Sequence, residues 1–599
     1  MRIKEIFSIR IPIGNLLILN IFLIAFFFQI FLITKFTILY TLLKSLFVVL
    51  VILLIFGLMR TSRREKLFIL LCILFIIAIR LPFYLHTDGL IFSSDNALEA
   101  LQSDEIRDTK TAPFYLLNSS GHNGTLKYLL VAFIWDLLGR DYLYVVLFQL
   151  IIFLAVSYFI YKIFEGIIDK KILLLFIFTN FAFIEVIFDY SLFLRAAPYL
   201  EMLFFFLFGV YLFDFEFKNK TRIFLSYYFF LFSVYLHPTV LFFVVPFALC
   251  TFIYALKAHK LLKNFIILLI GLFSGGFHLI YFQFFGPKIP YTADWYAKEF
   301  ITPASFSLSK IPEYLLNVLR DFKVIFTNIL SNEFSYSINV FFKEEKVIKS
   351  VFFVINFSLI WLSLLIFLLA LIVALKKLII IRKEGLSKND WSSIFFLLFL
   401  VTILAKIFIL SPKPFYEPRH NLDMAFLLMM SYLFVFSTFL KVKKILSFKV
   451  LLVSLLLLLF TLPHYYYFLK MTYLKEHSYR EILSVLVENR VKYLATDFVI
   501  AYPIYFLTNR RIMVSDSLGP VTVRFFYPEL KKIVDKIRWD QKAYLIFSEN
   551  FPRKEWHESE TAMIKISLLH RLKRQGIKYK IFKFKYYIII IPFTVRTYD

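Results

Sequence analysis

Thirteen apolar stretches recur along this chain, most of them close to the length that crosses the ~30 Å hydrocarbon core of a bilayer, which takes about 17–25 helical residues. They lie at 11–34, 36–59, 67–83, 142–164, 172–188, 198–213, 223–236, 239–256, 265–285, 351–375, 394–410, 422–440 and 451–467. Hydrocarbon supplies no water to pair with backbone amides, so each segment must close its hydrogen bonds internally as a helix. The expectation is an all-α polytopic membrane protein of about thirteen transmembrane helices.

The loops orient that array. Lys and Arg collect in short cytoplasmic loops, and clusters such as Arg60, Arg63, Arg64 and Lys66, or Lys376, Lys377, Arg382 and Lys383, fall in every second connection. The short connections between them hold little beyond Lys35, Arg195, Lys413 and Arg419. This predicts a cytoplasmic N-terminus in a multi-pass inner membrane protein. It also requires that the apolar helix at 126–139 not cross: it is short and carries Lys127, Trp135 and Asp136, which suits a helix lying in the outer interface.

Two large outer loops follow, 84–141 and 286–350, and then an outer C-terminal part, 470–599. There the pattern changes to strand-like runs at 492–496, 511–515, 543–547 and 579–591, alternating with helix-like runs at 528–537 and 560–575. This is expected to be a small extracytoplasmic α/β domain. The chain thus divides into an N-terminal helix pair (1–66), a membrane module (67–469) and the C-terminal domain (470–599).

Composition narrows the function. Hydrophobic residues make up 60% of the chain and charged residues 18%, far from a soluble average. The 78 Phe and 36 Tyr are spread through the apolar segments, not interleaved with a basic stripe, so no nucleic-acid platform is read. Cys72 and Cys250, the two cysteines, lie inside apolar segments far from any His cluster, and neither a disulfide framework nor a zinc site is indicated. No phosphate-cradling glycine loop occurs, and the inner loops are too short to fold a nucleotide site. Substrates are therefore expected in the membrane or beyond it.

The first outer loop carries the chemistry. Arg80-Leu81-Pro82-Phe83, a spacer, Ser94-Asp95, Pro113-Phe114-Tyr115 and Gly124-Thr125-Leu126-Lys127-Tyr128-Leu129 together resemble a bacterial subgroup of the GT-C fold glycosyltransferases, which use polyprenyl-phosphate sugars. Protein O-mannosyltransferases and the lipid A aminoarabinose transferase are similar at greater distance. Arg195-Ala196-Ala197-Pro198-Tyr199-Leu200-Glu201, Pro418-Arg419-His420-Asn421 and the stretch 493–515 follow the subgroup's later motifs in order. The resemblance runs from about residue 67 onward. It departs at Asn96, where the acidic pair would be completed, and at Lys127, where the subgroup often has Glu, and both changes weaken a metal site.

The resemblance implies transfer of a sugar from a polyprenyl-phosphate donor to a lipid-anchored glycan, lipid or protein acceptor at the outer face, among membrane lipids. Asp95 would be the catalytic base. Arg419 would hold the donor phosphate, since a guanidinium matches two phosphate oxygens. Asp189 and Glu201 would orient substrate, and His122, Asn123 and Tyr128 complete the substrate-binding set. No metal ligand is assigned and no cofactor is required, although a divalent metal is compatible with the family. Asp104-Glu105 is a rival acid pair, expected to cap or solvate its helix. Glu201 could instead be an interfacial carboxylate paired with Arg195, and Lys44 and Lys406, inside spans, receive no role. A lipid-linked oligosaccharide flippase, or an O-antigen polymerase or ligase, shares the multispan plan and remains the alternative class.

Overall fold

The computed structural model describes residues 13–60, 94–115, 124–165, 199–257, 261–285, 346–384, 390–410, 479–515, 528–548 and 554–595, with isolated positions between them. The expected spans at 67–83, 172–188, 422–440 and 451–467 lie mostly or wholly outside the described residues, as does most of the loop 286–350.

The membrane part comprises α1 (Ile13–Thr34), α2 (Thr37–Arg60), α3 (Ser94–Thr109), α4 (Leu126–Leu138), α5 (Tyr142–Phe164), α6 (Tyr199–Leu212), α7 (Lys220–Leu236), α8 (Leu241–Lys257), α9 (Leu261–Phe285), α10 (Lys346–Glu384) and α11 (Trp391–Leu410). Among the described residues, five helical segments are long and apolar enough to cross a membrane: Ile13–Thr34, Thr37–Gly57, Tyr142–Phe164, Pro238–Lys257 and Phe265–Phe285. The chain is a membrane protein on this measure. The expected count of thirteen includes four spans that lie mostly or wholly outside the described residues; among those described, Tyr199–Leu212 and Trp391–Leu404 are apolar but shorter. Helix α4, with 13 residues, is about 20 Å long at 1.5 Å per residue, too short to cross. By contrast α10 has 39 residues and overruns the expected 351–375 at both ends, because Lys376, Lys377, Arg382 and Lys383 are good helix formers that continue the helix past its apolar stretch.

Helices α7 and α9 pack at the closest approach in the bundle. A Cβ at Gly275 would sit 2.1 Å from the Tyr228 carbonyl oxygen, and one at Gly271 would sit 2.7 Å from that of Phe224. The two glycines are spaced one helical turn apart, the small-residue seam by which membrane helices bring backbones together.

The N-terminal helix pair, which lies outside the resemblance, is tied into this seam. Gln29 of α1, fully buried, donates to the Gly275 carbonyl at 2.6 Å and meets His278 Nδ1 at 2.9 Å, while the Tyr228 hydroxyl donates to its Oε1 at 2.7 Å. Lys44, without a role in the sequence, reaches Asp136 of α4 at 3.1 Å, where Tyr40 and Lys110 also donate.

The C-terminal part is the α/β unit expected, with α12 (Arg480–Glu488), β1 (Tyr493–Ala495), α13 (Phe498–Leu507), β2 (Met513–Ser515), α14 (Pro528–Lys536), β3 (Ala543–Phe547), α15 (Lys554–Arg574), β4 (Tyr579–Lys583) and β5 (Tyr587–Pro592). The sheet order is β2-β1-β3-β5-β4. β1 runs parallel to β2 and β3, while β5 is antiparallel to β3 and β4. The run 579–591 is therefore a hairpin and not one strand. β5 is buried throughout and reads as an unbroken apolar run, as central strands do, whereas β4 closes the edge with exposed Lys580 and Lys583, which blunt edge pairing. α15 begins six residues before the expected start and ends on Gly576 at φ +66°, the left-handed position that glycine fills without strain.

Gly275→Ala should push α7 and α9 apart and cost about 1–3 kcal/mol of overpacking, read as a lowered thermal midpoint of the detergent-purified protein. The Asp136 carboxyl resists the upward push of burial, because the bonds from Lys44, Tyr40 and Lys110 outweigh it and hold it below its usual range. A depressed carboxyl stabilises above the ordinary carboxylate range and loses that contribution as pH falls through its folded value. The stability gap between wild type and Asp136→Asn should thus be largest at neutral pH and close on acidification.

Candidate functional site

Among the described residues of the segment 84–141, Ser94–Thr109 and Leu126–Leu138 are helices. The segment read as an acid-bearing loop is helical from Ser94, and α3 carries Asp95 in its first turn, one turn ahead of Glu99.

The turn before α4 is anchored from below. The Gly124 amide donates to the Leu236 carbonyl at 3.0 Å, and a Cβ at Gly124 would meet the Tyr235 ring at 2.7 Å, so only glycine allows this approach to the end of α7. The Thr125 amide donates to the Tyr235 hydroxyl at 2.9 Å, the Thr125 hydroxyl donates to the Pro113 carbonyl at 2.6 Å, and the Tyr235 hydroxyl donates to the Phe114 carbonyl at 2.8 Å. The sequence motifs Pro113-Phe114 and Gly124-Thr125 are thus held side by side by hydrogen bonds and by the bridge between Tyr115 and Gly124.

That turn aims the next two side chains at α3. Lys127 Nζ lies 3.0 Å from Glu99 Oε2, with both side chains at 2% exposure or less, and the Tyr128 hydroxyl points to Glu99 Oε1 at 3.4 Å. Burial first, and the Glu99 carboxylate second, push the Tyr128 phenol well above its ordinary range, so it remains a donor. Beside them Gln149 of α5 donates to Glu201 Oε1 at 2.9 Å. Glu201 is buried, and its Oε2 has no partner among the described residues. Four helices therefore contribute to one buried polar cluster that begins one turn from Asp95, with Glu201 close enough to act on the Tyr128 phenol.

Several expectations change. Glu201 is buried and accepts from Gln149, while Arg195, its alternative partner, lies outside the described residues. Lys127, noted only as a departure, neutralises Glu99. Asp104 is not solvated: it is 2% exposed and accepts from Arg140 Nε at 2.7 Å, with Arg107 at 3.3 Å and Arg510 at 3.7 Å. Tyr128 joins the cluster through Glu99. Asp189, Arg419, His122 and Asn123 lie outside the described residues. His237, just past the end of α7, lies against Tyr199 with ring centroids 4.5 Å apart and bonds Thr239 at 2.8 Å.

Sequence reasoning missed Glu99, Gln149 and Tyr235. Glu99 had a signal in its four-residue spacing from Asp95, and Gln149 in being polar inside an apolar span. Tyr235 had none, because its hydroxyl works through a long-range contact. A divalent ion does not fit at Glu99, since the Lys127 ammonium already occupies its carboxylate. Among the described residues no three His, Cys, Asp or Glu side chains gather as metal ligands.

Compared with known proteins, the chain matches no protein-family model and no curated protein.

Truncating one member of a buried ion pair leaves the other uncompensated, at about 3–5 kcal/mol, whereas replacing both with apolar groups is often neutral. Glu99→Leu and Lys127→Met should each lower the thermal midpoint sharply, and the double variant should recover most of the loss in a double-mutant cycle.

Proposed function

We propose that this chain is an integral membrane glycosyltransferase of the GT-C type, moving a sugar from a polyprenyl-phosphate donor to a lipid-anchored glycan, lipid or protein acceptor on the outer face of the membrane. The observation that carries this reading is the convergence of the 94–101, 124–129 and 199–201 motifs on one buried cluster. The membrane setting supports it, as does the C-terminal α/β domain packed through α13 against α3.

In the proposed reaction Asp95 takes the proton of an acceptor hydroxyl as that oxygen attacks the anomeric carbon. The bond from that carbon to the donor phosphate oxygen breaks, and polyprenyl phosphate leaves with the electron pair. Attack from the face opposite the leaving group inverts the anomeric centre. Arg419 would hold the departing phosphate, and Glu201 and Tyr128 would line the substrate side. The Glu99–Lys127 pair anchors α3 and so holds the position of Asp95. Charge alternation in the loops supports the orientation, with the N-terminus in the cytoplasm and the C-terminal domain outside an inner membrane.

General-base assistance contributes roughly 10²–10⁴-fold. Membranes carrying the wild-type protein should release label from at least one of a panel of radiolabelled polyprenyl-phosphate hexoses and pentoses, and Asp95→Ala should lower that release by about this factor. Undiminished transfer by Asp95→Ala would remove Asp95 from the mechanism, and absence of transfer by the wild type across the panel would remove the reading itself.

A further inference from the structure

The C-terminal domain touches the acid-bearing helix at a charged junction that the proposed chemistry does not use. Asp104, on the helix whose first turn holds Asp95, is buried under three guanidinium groups. Arg107, from the same helix, would neutralise it alone. The other two come from elsewhere: Arg140 from the turn between α4 and α5, and Arg510 from the turn between α13 and β2. Arg510 also lies 3.5 Å from Asp108, the next acid along that helix.

Arg140 grips both sides of the junction at once. Its Nε meets Asp104, one terminal nitrogen donates to the Asn509 side-chain oxygen, and the other donates to the Phe506 carbonyl at 3.3 Å. Its guanidinium lies 4.1 Å from the centre of the Phe506 ring, which itself stacks on Trp135 at 6.1 Å. A charge-assisted and aromatic contact of this kind is stronger than an exposed ion pair.

The backbone points the same way. Asn509 and Arg510 are consecutive non-glycine residues at φ +51° and +63°, a region that costs side-chain-bearing residues energy. Other non-glycine residues at positive φ stand singly among the described residues, at Lys35, Lys110, Phe217 and Arg490. At the end of α15 the same domain fills the equivalent conformation with Gly576. At 510 it keeps an arginine, and the side chain's contacts lie on the neighbouring module.

We propose that the 508–511 turn is a latch by which the C-terminal domain holds the acid-bearing helix in register, with Arg510 and Arg140 acting as positioning residues through Asp104. This rests on the glycosyltransferase reading for its catalytic consequence, while the latch itself is a mechanical property of the fold. Releasing it lets α3 shift relative to α4, and Asp95 shifts with it.

Arg510→Gly is the informative variant, because glycine suits the left-handed backbone and removes the latch without threatening the fold of the domain. Arg510→Lys keeps the charge, and Arg490→Gly relieves a left-handed residue of the same domain that lies just past the end of α12. The test is hydrogen exchange of the detergent-purified full chain over 94–109, together with kcat and KM for a polyprenyl-phosphate sugar the wild type turns over. Arg510→Gly should raise exchange in that helix severalfold and lower kcat about tenfold with the donor KM little changed; Arg510→Lys should restore part of both, and Arg490→Gly should alter neither. Unchanged exchange in Arg510→Gly overturns the latch, whatever the protein catalyses. Raised exchange with unchanged kcat overturns the positioning role. A wild type that turns over no such donor overturns the functional reading and the positioning role with it, and the exchange result then judges the latch alone.

Discussion

The buried ion pair between Glu99 and Lys127 is the constraint on which the rest of the site depends. Taking a carboxylate and an ammonium out of water carries a penalty of several kcal/mol per ion, repaid only where each finds its partner in good geometry. With both side chains at 2% exposure or less and their atoms 3.0 Å apart, α3 and α4 have one relative placement that satisfies the pair. A slide of one turn along either helix would strand two charges in an apolar interior. The pair therefore acts as a register mark for the helix that carries Asp95.

That register is supported from three directions. Beneath, the Gly124 turn rests on the end of α7 through Tyr235, and α7 is in turn locked to α9 by the glycine seam and to α1 by Gln29. On one side, Asp136 joins α4 to Lys44 of α2 and Lys110 at the end of α3. On the other, Asp104 meets Arg140 and Arg510. Polar groups in a largely apolar chain are few and costly to bury, so they are concentrated where helices must be held in one arrangement.

How much of this was legible in the sequence depended on whether a feature is local. Apolar length marked α1, α2, α5, α8 and α9 with ends within a few residues, because hydropathy over a window is a property of the chain alone. The strands β1, β2 and β3 were equally readable from short apolar runs. The hairpin at 579–592 was not, since four consecutive isoleucines and the alternating Lys-Phe segment before them merge into one apolar run. Asp95 and Tyr128 could be singled out from a motif. The roles of Glu99, Asp104, Lys127 and Gln149 could not, because a charged residue reads as solvated until its partner is known, and Arg140 meets Asn509 across 369 residues.

The amino-acid order alone determined that this chain belongs in a membrane, that its last part departs from that pattern into a small α/β unit, and that an acid, Asp95, stands near the start of the segment between the apolar stretches 67–83 and 142–164. These follow from hydrophobicity and periodicity, which act between near neighbours. Only the tertiary structure decided which charge neutralises which, that the first two helices are woven into the bundle, and that the last domain grips the acid-bearing helix. Electrostatic pairing in a low-dielectric interior is settled by distances through space, and those distances exist only once the helices have packed.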